Sequence, residues 1–147
     1  MLSVRQQRQS PGDSALARQR ESAFALHDLA CVPCRRSEYA RAKGLFQQAL
    51  HLSWEQHLYR SVCGCLEGLA WVISLQGENQ VAARILGASE ALRRTINLTR
   101  LPADQVWQET LLEQIKTQLG EPEFEASWAH GNKLELEKII NLPLSLP

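Results

Sequence analysis

From Ala15 onward, apolar residues return every three or four positions, the spacing that gathers them on one face of an α-helix. Phe24, Ala25, Leu26, Leu29 and Ala30 form the first stripe. That helix is expected to stop near Pro33, which lacks a backbone N–H and clashes with the preceding turn. Ser37 reads as the N-cap of a second helix carrying Tyr39, Ala42, Leu45, Phe46, Ala49 and Leu50. Leu58, Val62, Cys65, Leu66, Leu69 and Ile73 predict a third helix from about Trp54 to Leu75, with Gln76-Gly77 as its left-handed stop. A fourth, about Asn79 to Ile96, sets Ala82, Ile85, Leu86, Ser89 and Leu92 on one face, with Ala83 and Ala88 small enough to admit close neighbours. Connections this short force antiparallel hairpins.

Pro102-Ala103-Asp104 opens a fifth helix in which Trp107, Leu111, Ile115 and Leu119 recur every four residues up to Gly120. Glu121-Pro122-Glu123 starts a sixth, with Phe124 and Trp128 one turn apart and Gly131 as its expected end. A seventh, about Leu134 to Ile140, docks through Leu136, Ile139 and Ile140. Residues 1–13 have no apolar period and close in turn chemistry, and the recurring prolines of 142–147 exclude helix, so both are read as flexible ends. No segment alternates as a strand does. The expected organisation is a lead-in (1–13), two helical hairpins (14–98), a C-terminal helical cap (99–141) and a tail (142–147).

Sliding the chain against itself by 40 residues aligns Leu29-Ala30 with Leu69-Ala70, Ala42 with Ala82 and Phe46 with Leu86. Small residues at those points let antiparallel helices approach, and the large one fills the space between successive hairpins. This spacing resembles the tetratricopeptide repeat, and EYARAKGLFQQAL (Glu38–Leu50) looks like the second helix of such a repeat. CLEGLAWVISLQGENQVAARILGASEAL resembles more narrowly the last repeat in MalT-like and LuxR-type bacterial ATPase regulators. LPADQVWQETLLEQIKTQLGEPEFEASWAHG is similar to the segment that follows that repeat. Pro33 and Ser37 depart from the pattern, where a continuous helix and a turn glycine are usual. The Gly-x-x-x-x-Gly-Lys-(Ser/Thr) loop and the basic recognition helix of those regulators have no counterpart in this sequence. The resemblance therefore implies an all-α, tetratricopeptide-like solenoid of antiparallel hairpins with a helical cap, acting as the sensor or scaffold part of a regulator.

Charge changes this picture little. Sixteen basic and sixteen acidic residues cancel, which removes any overall field for nucleic acid or anionic membrane. Their distribution is uneven: residues 1–45 carry eight basic and four acidic groups, residues 101–147 three and eight. There is no apolar run of membrane-spanning length and no signal-peptide core, so a cytoplasmic location is expected.

Candidate chemistry is sparse. Cys31-x-x-Cys34 and Cys63-x-Cys65 offer four thiols for a structural zinc site or a redox pair, the basis of an alternative reading as a small metal-binding or redox protein. Against it, Cys63 and Cys65 fall mid-helix and point about 200° apart by helical geometry. His27, His51, His57 and His130 are scattered without ligand spacing, and Glu121, Glu123 and Glu125 suit a first helical turn by their charge alone. No nucleophile signature is present, so no enzyme activity, cofactor or metal is expected. In the repeat register Trp71 lies on the first helix of its hairpin, the helix that lines the concave groove of such arrays. His27, Cys31, Glu67 and Ser74 share that side by the same count, giving five candidate protein-binding residues. The expected partner is a protein or peptide segment, apolar or basic, or the ATPase and DNA-binding part of a regulator, with homo-oligomerisation as a further possibility.

Overall fold

The computed structural model describes Cys31, residues 35–134 and Lys138; the rest of the helix expected over 15–33, residues 135–137, 139 and 140 of the seventh helix and both ends lie outside the described residues. Five helices account for the described chain: α1 (Tyr39–Glu55), α2 (Tyr59–Leu75), α3 (Asn79–Thr95), α4 (Pro102–Leu119) and α5 (Glu121–Asn132). There is no strand among the described residues. The fold is all-α.

The first three helices are each 17 residues long and begin 20 residues apart, half of the 40-residue repeat of the sequence. Their turns explain the register. Ser37, His57, Gly77 and Asn97, again 20 apart, all take the left-handed conformation, with φ of 64°, 56°, 89° and 58°. After α2, the Gly77 N–H donates to the Ser74 carbonyl (2.9 Å) and the Glu78 N–H to that of Ile73 (3.0 Å). His57 and Leu58 do the same to Trp54 and Ser53, and Asn97 and Leu98 to Arg94 and Arg93. This paired closure satisfies the orphan carbonyls of a helix end and reverses the chain within three residues.

Two expected boundaries move for that reason. Ser37 is not an N-cap: it is the left-handed turn residue, and Glu38 occupies the cap position of α1. Trp54 ends α1 instead of opening α2, because the turn is built at His57, where no glycine marks it. A left-handed non-glycine residue costs about 1 kcal/mol, of which the added unfolded-state entropy of glycine returns a part. Gly77→Ala is therefore expected to lower stability by about 1 kcal/mol and His57→Gly to raise it by about 0.5 kcal/mol, both read from denaturant midpoints.

Packing follows the stripes. α1 buries Ala42, Phe46, Ala49 and Leu50 against α2. α2 is flanked by α1 and α3 and is buried almost all round, with the Phe46 ring filling the space where a Gly68 Cβ would stand. α3 buries Ala82, Ala83, Ile85, Leu86 and Ala88 between α2 and α5. α5 docks on α3 more extensively than any other pair of helices packs. α5 ends at Asn132, one residue past the expected stop at Gly131, which is buried and lets α5 approach α3 closely. α4 is held more lightly, burying Leu111, Ile115 and Gln108 while leaving Leu101 (68 %) and Val106 (63 %) exposed.

Candidate protein-binding cleft

Because α1 and α3 cover the flanks of α2, one face of that helix remains for a site. Arg60, Gly64, Glu67 and Trp71, spaced four, three and four, line up along it. Opposite stand Leu101, Asp104 and Trp107 from the start of α4. The space between is a cleft of about 470 Å³, within the range of ligand-sized sites. Cys31, Arg35, Arg93, Leu98 and Arg100 also line it.

Trp71 meets Trp107 edge to face across the cleft, with ring centroids 5.9 Å apart and planes at 88°. This is the arrangement the ring quadrupoles favour. Trp107 is half-buried, packs against the core and forms a wall of the cleft.

Glu67 is only 6 % exposed and fully engaged. Its Oε1 accepts from Arg93 Nε (2.8 Å), Arg100 Nη2 (2.8 Å) and Ser89 Oγ (3.4 Å), and its Oε2 from Arg93 Nη2 (3.0 Å). Arg100 Nη2 also reaches Glu90 Oε2 at 2.8 Å. Burial works to lower the pKa of Arg100, but the carboxylates of Glu67 and Glu90 outweigh it and hold the group above its ordinary value. Two acids and two arginines thus form a neutral, largely buried cluster in which both Glu67 oxygens already accept from guanidinium groups.

Of the five candidate residues, Cys31, Glu67 and Trp71 come together on the cleft, while His27 lies outside the described residues. Ser74 is not on the cleft wall; its hydroxyl donates to Asn79 Oδ1 at 2.8 Å, bracing the turn between α2 and α3. Sequence reasoning missed the arginines. One signal was available for the cluster: Glu67 is the single charged residue between Ser61 and Leu75, and a lone acid in an apolar helix needs a buried partner.

The cysteines take separate places. Cys65 sits with Ser61 and Ser53, whose hydroxyls are 2.7 Å apart on the α1 side of α2. Cys63 faces α3, its Sγ 3.9 Å from the Ser89 carbonyl. The two thiols do not converge on one point, and Cys34 lies outside the described residues. Burial pushes the Cys63 thiol up to about 11 and that of Cys65 to about 12, so both are protonated at neutral pH. Folded-state pKa values above the unfolded one mean that their contribution to stability is complete below about pH 9 and is lost as pH rises through 11 and 12. A disulfide-exchange reagent is expected to reach these two thiols at least about a hundredfold more slowly in the native chain than in denaturant. Equal rates would show that the α2 flanks open readily.

Comparison with known proteins gives a distant likeness. The chain is 27 % identical over 116 residues to the "Putative HTH-type transcriptional regulator Mb0914c" of Mycobacterium bovis. It is 27 % identical over the same length to the "Putative HTH-type transcriptional regulator Rv0890c" of Mycobacterium tuberculosis. The match takes in 79 % of this chain but spans only 13 % of either regulator. No family model and no solved structure matches.

Proposed function

We propose that this chain is a non-catalytic protein-interaction module of tetratricopeptide type, acting as the sensor or scaffold part of a bacterial transcriptional or signal-transduction regulator. The observation that carries the reading is the 20-residue register: helices of equal length, closed by left-handed residues at Ser37, His57, Gly77 and Asn97. Such a register stacks hairpins so that alternate helices line one side, and α2 and α4 both face the cleft. The similarity to two named regulators supports the same role, and the part they share is small enough to be one module of a larger machine. The partner in this reading is a protein or peptide segment, in the cytoplasm, without direct contact to nucleic acid or membrane. No helix among the described residues is long and apolar enough to cross a membrane.

The test starts in the genome. The DNA immediately upstream, read in three frames, is expected to encode an ATPase-like or helix-turn-helix stretch, and the product of that stretch is expected to co-purify with this chain. A product that does not associate, together with a chain that sediments as a stable, inert monomer, would count against the module reading. The buried, divergent thiols of Cys63 and Cys65 do not favour the metal or redox alternative. Zinc below about a tenth of an equivalent after chelator-free purification would close it.

A further inference from the structure

We infer that the cleft between α2 and α4 takes an acidic protein segment that inserts an apolar or aromatic side chain beside Trp71 and Trp107. This rests on the interaction-module reading and specifies the chemistry of the partner. From the sequence, Glu67 beside Trp71 suggested an apolar or basic guest; the ion pairs reverse that sign.

The buried part of the cleft wall is neutral, because Glu67 and Glu90 are matched by Arg93 and Arg100. A basic guest would have to take Glu67 from two guanidiniums that already hold both its oxygens, leaving the buried Arg93 without its counterion. What remains at the mouth is Arg35 and Arg60, both exposed, against Asp104 on the α4 side. Neither arginine forms an ion pair among the described residues. An acidic segment gains from these two cations at the rim, where charge steers encounter, while the Trp71–Trp107 corner desolvates its anchor. The exposed Leu101 at the start of α4 extends the apolar wall outward. The volume of about 470 Å³ accommodates one or two side chains, not a whole folded surface.

The test uses the full chain and a library of short peptides of three kinds: acidic with a central aromatic residue, basic with the same residue, and neutral. Binding is read by calorimetry and by the fluorescence of the tryptophans. Acidic aromatic peptides are expected to bind best, to weaken with salt, and to lose at least about tenfold in affinity on the charge reversal R35E/R60E, which alters only exposed side chains. Preference for basic peptides, or indifference to that reversal, overturns the inference and leaves the interaction-module reading standing. Failure of every peptide, with the co-purification of the preceding section also negative, removes both. Binding of free benzoate or indole-3-acetate as tightly as the peptides overturns the segment in favour of a small carboxylate. In the last case R35E/R60E serves as the control that the same mouth is used.

Discussion

Glu67→Ala is expected to destabilise the fold by about 3–5 kcal/mol, the cost of leaving buried cations without their counterion. The side chains of Glu67, Arg93 and Arg100 are 8 %, 10 % and 9 % exposed, so water does little to replace the carboxylate. Arg100 would keep Glu90, but the only ion pair Arg93 has among the described residues is lost. Glu67→Gln preserves the shape and removes the charge, so it should fall between wild type and alanine. Replacing the three residues together by methionine should recover much of the loss, since an apolar cluster of similar volume avoids the desolvation that the pairs only offset. Guanidinium denaturation measures all three. A loss below about 1 kcal/mol for Glu67→Ala would mean that the arginines swing to water, and the neutral inner wall of the cleft would then be wrong as well.

How far the residues foretold this molecule depends on which interactions are local. Helix identity was legible because periodicity is a local property: the buried apolar residues Ala42, Phe46, Ala49 and Leu50 of α1 all belong to the stripe read from the chain, while its Tyr39 and Leu45 are partly buried. The turn at Gly77 was legible because glycine advertises its conformation, whereas His57 adopts the same φ without any chemical marker and displaced a helix boundary. The stripe of α4 was only half true. Leu111 and Ile115 are buried, but Gln108 is too, at 2 % exposure, and neither of its amide atoms finds a hydrogen-bond partner among the described residues. A buried amide without partners costs about 1–3 kcal/mol, which fits the light docking of α4. In the cleft, Trp71 and Glu67 lie one turn apart on α2, a spacing that counting along the helix makes visible, and both line it. Their partners came from 26 to 36 residues away, Arg93, Arg100 and Trp107, and no local pattern encodes a contact at that separation.

Gly131→Ala should cost about 2 kcal/mol and Gly131→Val considerably more, through loss of the α3–α5 interface and not through α5 itself. A Cβ on Gly131 would fall inside the contact distance of the Arg84 carbonyl oxygen, with the Arg84 carbonyl carbon at 2.8 Å and the Ala88 nitrogen at 3.0 Å. Across the same crossing, a Cβ on Gly87 would collide with the Trp128 carbonyl. These obstacles are helix backbone, which cannot rotate aside as a side chain can, so the helices must separate along their closest line of approach. Alanine is intrinsically the better helix former by about 1 kcal/mol, and that gain is already subtracted from the figure above. Gly44 supplies the control: a Cβ there meets nothing within 4 Å, so Gly44→Ala on α1 should be neutral or stabilising. Separation of α5 would expose Phe124 and half-buried Trp128, which lie stacked with centroids 5.6 Å apart, and should shift the Trp128 emission to the red. It would also remove one of the helices against which α4 packs, opening the α4 side of the cleft. Peptide affinity should then fall in Gly131→Val even though no residue of the cleft has changed. If stability falls while affinity and emission do not, α5 is a passive cap and α4 holds its place without it.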